Sequence, residues 1–211
     1  AFARNRGLER AIGEFIFFAD SDAVLPRDAL KIALTAVVDA DCVVGVFSAE
    51  NSYDNFCSQY KSLYINFRFQ DLNGAATLNT GIALVRRRVL DQVGSFNEGL
   101  KTIEDCELGD RIFRHGFKIV IEQRLKAVHL KYFSMVGLFQ SDFRKALGLA
   151  ELLFTIMRAG QWSPRGEFTD ISISLMLNVP IVYGTLGVLL VAATGWLSPV
   201  FVVPAVGGGI L

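Results

Sequence analysis

"FIFFADSDAVLP", residues 15–26, decides how this chain is read. Glu14 to Ala19 reads as a strand, its five residues from Phe15 on all apolar or aromatic as in a buried one. They end on two carboxylates one residue apart, Asp20 and Asp22. Pro26 follows, where proline commonly opens a helix, and residues 27–38 place Leu30, Leu34, Val37 and Val38 at helical spacing. A strand that finishes on paired negative charges is leaving a core and meeting a cleft.

The same alternation continues outward. Residues 4–11 read as a helix, and "DCVVGVF" (41–47) as a second strand. Residues 52–69 read as a helix with Phe56, Tyr60, Leu63, Tyr64 and Phe67 along one face. Residues 80–85 are strand-like, 87–93 a short helix closed by Gly94, and 105–115 a helix stopped by Gly116. Residues 117–121 and 125–130 are read as two strands. Alternating strands and helices predict an α/β fold with a mixed, largely parallel sheet. Such sheets bind ligands beyond the carboxyl ends of their strands, where Asp20 and Asp22 fall.

The 211 residues carry 21 basic and 21 acidic side chains, a net charge of zero. That balance argues against a nucleic-acid partner. The three cysteines, Cys42, Cys57 and Cys106, are scattered and odd in number, with no metal or disulfide spacing. Apolar residues reach 52% and the mean hydropathy is +0.38, with the excess concentrated at the end of the chain. Residues 171–211, 41 positions, contain no charge. Within them Leu175 to Trp196 has the length of a membrane span, and Val200 onward reads as the start of a second. Before them, residues 134–161 are amphipathic, and between Lys131 and Arg165 five basic residues face two acidic ones. This is the pattern of an interfacial helix beside a span, and it predicts an inner-membrane protein with the preceding domain on the cytoplasmic side. The expected divisions are residues 1–133, 134–170 and 171–211. The chain opens mid-pattern without methionine and is read as a fragment cut at both ends.

Asp-x-Asp after a strand suits a hard divalent cation, Mg²⁺ or Mn²⁺, which takes oxygen ligands and bridges to substrate phosphates. Its surroundings sharpen that reading. "ARNRGLERAIGEFIFFADSDAVLPRDAL" resembles the central segment of family 2 glycosyltransferases of GT-A fold. "LNTGIALVRRRVLDQVGSF" is similar to that family's acceptor-side segment, and "EDCELGDRIFRHGFKI" to its Glu-Asp motif. The resemblance covers residues 3 to about 131. It implies transfer of a sugar from a nucleotide-sugar donor to a glycan or lipid-linked acceptor. It implies that Asp22 meets the metal, with Asp20 on the metal shell or the nucleotide ribose. Arg4 and Asn5 would lie near the nucleotide. Asn79, Thr80 and Gly81 would line the pocket between donor and acceptor, and His129 would approach the pyrophosphate. The family's first strands have no counterpart here. Its Gln-x-x-Arg-Trp motif of processive synthases is missing too, which points to transfer of a single sugar.

The Glu-Asp motif carries the catalytic base in that family, and helical geometry chooses among its acids. Asp105, Leu108 and Ile112 share one inward face. Glu107 with Arg111 and Asp110 with Arg114 are i,i+4 pairs, read as solvated surface. Asp105 is therefore expected to be the base, with Glu104 capping the helix or orienting the acceptor. Arg86 to Arg88 are read as a solvated helix start, and His115 as a helix-end residue without chemistry. Two other readings are open. "FFADSDAVL" fits a haloacid-dehalogenase-like phosphatase with Asp20 as nucleophile and Asp22 as general acid. A degenerate, non-catalytic membrane scaffold is the third.

Overall fold

The computed structural model describes residues 1–70, 78–100 and 102–158, and beyond them 167–168, 171–172, 185, 188 and 191. Residues 1–162 form one compact unit and residues 163–211 another. In the first unit, helix α1 (Phe2–Arg10) leads into strand β1 (Phe15–Ala19), and a tight turn leads to the short strand β2 (Ala23–Val24). Helix α2 (Ala29–Ala36) follows, tightening into a 3-10 turn at Val37–Asp39, and then strand β3 (Cys42–Phe47). Helix α3 (Phe56–Arg68), strand β4 (Ile82–Arg86), and helices α4 (Arg87–Val93) and α5 (Glu104–Arg114) come next. Strand β5 (Ile119–His129) and the long helix α6 (Met135–Arg158) complete it. In the second unit, β6 (Glu167–Phe168) and β7 (Ile171–Ser172) pair antiparallel.

The sheet runs β1-β4-β3-β5-β2. Only β3 and β5 pair in parallel, while β4 is antiparallel to both β1 and β3, and β2 to β5. The expected α/β class is observed, but the sheet is mixed rather than largely parallel. The reason is β4, which enters between β1 and β3 against their common direction. Apolar composition marks a strand as buried but does not encode its direction. β5 is also one strand where two were read. Its register against β3 shifts between Val44 and Val46. Gly45 sits at that irregularity, where an added Cβ would lie 2.5 Å from the Leu125 carbonyl oxygen. Only glycine lets the two backbones approach so closely there.

Two helices present a different face from the one their spacing suggested. In α2 the buried residues are Ala29 and Ala33; of the expected stripe Leu30 and Leu34 are exposed, and in the following 3-10 turn Val37 is buried but Val38 is exposed. Alanines let the helix lie close on Val43, Leu125 and Ala127, with which they share one core cluster. In α3 the buried face is Cys57, Ser58, Lys61, Ser62 and Asn66, and the aromatic face is outside. The polar face turns inward because its partners are there. Asn66 donates to the Phe47 carbonyl (2.8 Å), Ser58 accepts from the Phe133 amide (2.9 Å), and Ser62 accepts from Asn51 (2.8 Å). The helix also starts at Phe56 instead of residue 52.

α5 behaves as its pattern dictates: Leu108 and Ile112 are fully buried, each contributing about 1.5–3 kcal/mol of transfer free energy. Its two i,i+4 ion pairs form, but not as solvated surface. Arg111 holds Glu107 at 2.7 Å and also donates to the carbonyls of Val93 and Ser95, closing the loop after α4 onto α5. Arg86, Arg87 and Arg88 are likewise engaged. They donate to the carbonyls of Val37, Ala40, Ala11 and Gly13, and to Asp41.

Among the described residues no helix is long and apolar enough to cross a membrane. The expected span at Leu175 to Trp196 lies outside the described residues except at Thr185, Val188 and Val191, which are helical.

Candidate active site

β1 ends at Ala19, and the chain turns at once. The Asp20 amide donates to the Gly81 carbonyl (3.0 Å) and the Ala23 amide to the Asp20 carbonyl (3.1 Å). The Asp22 carbonyl accepts from the Leu130 amide (2.7 Å), and Ala23 pairs with His129 across β2 and β5. The Asp-x-Asp turn is thus fixed by backbone bonds on both sides. Its carboxylates remain available for other work.

They do different work. Asp20 Oδ1 accepts from Arg4 Nη2 at 3.0 Å, and the other nitrogen of that guanidinium, Nη1, donates to Glu104 Oε1 at 2.6 Å. Arg4 lies over the Phe96 ring at 5.7 Å. One arginine from α1 therefore joins the end of β1 to the start of α5. Asp22 is partly exposed, and its Oδ2 stands 3.4 Å from His129 Nε2. The His129 ring stacks on Phe47, centroids 4.6 Å apart. Burial lowers the imidazole's pKa, opposed by Asp22, so the ring is held neutral and able to ligate.

Gly81 makes room for this stack. A Cβ there would lie 2.9 Å from the Phe47 ring and 3.0 Å from Asp20 Oδ2. Gly81→Ala is expected to push the ring or the end of β1. Overpacking of this kind costs about 1–3 kcal/mol, which lowers the melting temperature by several degrees, and the distorted turn should cut turnover at least about tenfold. Thermal melting alongside turnover checks both. Normal values would mean that the pocket yields without cost. Next to it, Asn79 Oδ1 accepts from the Gly81 amide (3.1 Å). Thr80 is fully buried, and its hydroxyl oxygen has no hydrogen-bond partner among the described residues.

Asp105 is the second residue of α5 and keeps a partial path to solvent, yet protein surrounds its carboxyl group. Burial first, and Glu104 second, raise its pKa above the ordinary aspartate range, while the Cys106 amide, Arg4 and Lys145 oppose the rise. The residue before the motif is strained. Ile103 has φ 63° and is buried, a left-handed conformation that β-branched residues rarely adopt. That turn sets Glu104 and Asp105 at the mouth of the helix.

The structure joins Arg4, Asp20 and Glu104 in one network and pairs Asp22 with His129 beside it, with Asp105 next to Glu104 and Gly81 beside Asp20. Asn5 points elsewhere. It is buried, accepts from the Phe96 amide (3.0 Å), and donates to the Phe96 carbonyl (2.9 Å) and to Glu98 (2.8 Å), holding the loop after α4. Lys145 on α6 was not anticipated. Partial enclosure and Lys61 lower its pKa, although much of the residue is open to solvent, and it lies close enough to Asp105 for each to affect the other's charge. A lysine inside an amphipathic pattern gave no sequence signal of that role. Among the described residues no cluster of three metal-ligating side chains occurs. Asp22 with neutral His129 nevertheless fits a hard cation that keeps waters and takes further oxygens from a substrate phosphate.

Asp20 and Asp22 thus follow the carboxyl end of β1, His129 ends β5, and Glu104 at the start of α5 is tied to Asp20 through Arg4, an acidic group at one end of an α/β sheet. Residues 2–148 match the model of the glycosyltransferase-like family 2, and the chain belongs to that family. No curated protein matches it in sequence. Among solved structures it is similar to the mannosyltransferase PcManGT from Pyrobaculum calidifontis, solved in complex with GDP-Man and Mn²⁺. The identity is 21% and the TM-score 0.65, over 100% of this chain and 59% of that one. The chain therefore spans about three fifths of that protein's length. S. aureus TarS (19% identity, TM-score 0.44, 60% of this chain and 39% of that one) is more distant. GalNAc-T7 with UDP, GalNAc and Mn²⁺ is too (13%, 0.47, 63% and 30%). The fold likeness to PcManGT and the family match leave the phosphatase alternative without support.

Proposed function

We propose that the chain is the catalytic part of a metal-dependent, inverting glycosyltransferase. It would move one sugar from a nucleotide-diphosphate donor to a hydroxyl of a lipid-linked or envelope glycan at the cytoplasmic face of the inner membrane. The observation that carries this is the Arg4 bridge between Asp20 and Glu104, which holds the two acidic motifs within reach of one guanidinium. PcManGT, with the same fold, holds GDP-Man and Mn²⁺.

In this reading Asp22, with His129 beside it and Asp20 next in the shell, would hold Mg²⁺ or Mn²⁺. The ion supplies charge neutralisation for the departing diphosphate. Asp105 accepts the proton of the acceptor hydroxyl as its oxygen bonds to the anomeric carbon. The bond from that carbon to the donor phosphate breaks, and its electron pair leaves with the nucleotide diphosphate. Attack from the face opposite the leaving group inverts the anomeric centre. Glu104 and Asp20 share Arg4, so arrival of an anionic donor gives that guanidinium a third claimant and ties donor binding to the placement of Glu104.

Release of nucleotide diphosphate from a panel of donor sugars, with and without Mn²⁺, tests the activity on the protein in its membrane. No turnover with any donor and acceptor lipid would favour the scaffold reading. For the membrane, the segment Leu175 to Trp196 is expected to hold the chain through an alkaline carbonate wash. Release of the intact chain by carbonate would show a peripheral protein instead.

A further inference from the structure

Helix α3 is built inside out. Its polar face, including Lys61 and Asn66, is buried. Its outer face carries apolar residues at 56, 60, 63 and 67, one stripe at i, i+4, i+7 and i+11. Phe56, Leu63 and Phe67 on that stripe are 73%, 60% and 64% exposed. Phe56, Tyr60 and Tyr64 stack in a ladder with centroids 6.0 and 6.1 Å apart. Water gives no reason for such an arrangement.

α6 repeats the theme. Leu138, Leu152 and Ile156 are buried, while Val136, Phe139, Phe143 and Phe154, at positions turned away from them, are exposed. A helix apolar on two faces needs two coverings, and the domain supplies one. α3 and α6 are joined through their other sides. Lys61 pairs with Asp142, and Cys57 Sγ lies 3.9 Å from Met135 Sδ.

On the outer sides of these helices Arg68, Arg144 and Arg158 stand against one exposed acid, Glu151, while Lys61 is buried and paired with Asp142. α3 itself holds Lys61 and Arg68 and no acid. Both cations stand over the Tyr64 ring, at 5.1 and 5.6 Å from its centroid. On α6, Arg144 and Arg158 adjoin the exposed stripe in sequence. Aromatic rings interleaved with cations are the composition taken by the headgroup layer of an anionic bilayer. The polypeptide continues into 41 uncharged positions.

We propose that the outer face of α3, beside that of α6, lies in the headgroup region of an anionic membrane, so that the domain is held by two interfacial helices. This rests on the membrane reading above and adds a contact that the reading does not include. The buried polar bonds of α3 tie it to Phe47 and Phe133. Lipid contact at its outer face would therefore bear on the strand that stacks His129.

The test uses the full chain in vesicles of phosphatidylglycerol and phosphatidylcholine. A nitrobenzoxadiazole label is placed at Leu63→Cys, at Phe143→Cys, or at the distant and exposed Ile12→Cys, with the labelled parent chain as background for the native cysteines. Nitroxide-bearing lipids are expected to quench positions 63 and 143 at least about twofold more than position 12. Quenching at 143 but not at 63 overturns the α3 contact and leaves the membrane reading standing. Quenching at neither removes both. If label 63 is shielded from iodide in detergent without lipid, and cross-links between chains, a second copy covers the face and the proposal falls. Unchanged thermal melting of the Leu63→Cys chain confirms that the fold is intact.

Discussion

Asp105→Asn is expected to lower turnover by about two to four orders of magnitude while donor binding stays nearly unchanged. The substitution keeps size and the oxygen that accepts from the Cys106 amide at 2.9 Å, so the helix start survives and only the proton acceptor is lost. The raised pKa of Asp105 adds a pH signature. A base must be ionised to work, so wild-type turnover should fall in acid through a value above the ordinary aspartate range. Stability should move the opposite way. Burial disfavours the ionised carboxyl, so Asp105 costs stability above its folded-state pKa and none below that of the unfolded chain. Asp105→Asn is therefore expected to melt higher than wild type in mildly alkaline solution, with the gap closing in acid. Glu104→Gln, which weakens the Arg4 bridge without removing the base, should be the milder variant. If Glu104→Gln is the dead one and Asp105→Asn turns over normally, the base is misassigned.

What the sequence carried and what it did not divide along physical lines. The strand ending in Asp20 and Asp22 was legible because a buried run can end on charge only where it leaves the core. The inward face of α5 was legible because Leu108 and Ile112 are large and most of its other positions are charged. α2 and α3 were misread because helical spacing shows a stripe but not which side of it is covered. In α2 the small side chains Ala29 and Ala33 won the inner position, since closeness to β3 and β5 outweighed the larger leucines. In α3, hydrogen-bond partners supplied by Phe47, Asn51 and Phe133 made a polar interior satisfiable. No property of residues 56–68 alone announces those partners. The direction of β4 was hidden for a similar reason, since a strand buried on both faces reads the same either way.

The site residues follow the same division. Arg4 was readable as a cation near the cleft, but its bridge from Asp20 to Glu104 joins positions 16 and 100 residues away, and no local pattern holds that. Asn5 stands beside it in the motif and serves the loop at Phe96 instead. Successive helical positions point about 100° apart, so neighbours in a motif need not share a task. Lys145 reaches the neighbourhood of Asp105 only because α6 folds back on the domain.

Asp22→Ala is expected to lose at least about two orders of magnitude in turnover, together with the response to Mn²⁺. Asp20 and Asp22 are not equivalent in this fold. Asp20 spends one oxygen on Arg4 and has the other beside Gly81, whereas among the described residues the Asp22 carboxylate faces a neutral imidazole at 3.4 Å. Asp22 thus has lone pairs to offer a cation and a second donor next to it. Its fold role is carried by the backbone, through the Leu130 amide, so alanine should leave melting nearly unchanged. Binding of Mn²⁺ without any donor separates a metal role from a general loss of activity. Paramagnetic broadening of the His129 ring resonances should be present in wild type, weaker in Asp22→Ala, and abolished by EDTA. Full turnover in EDTA, or wild-type Mn²⁺ broadening in Asp22→Ala, would remove the metal from Asp22. Phosphate trapped covalently on Asp20 during turnover would instead restore the phosphatase reading that the family match displaced.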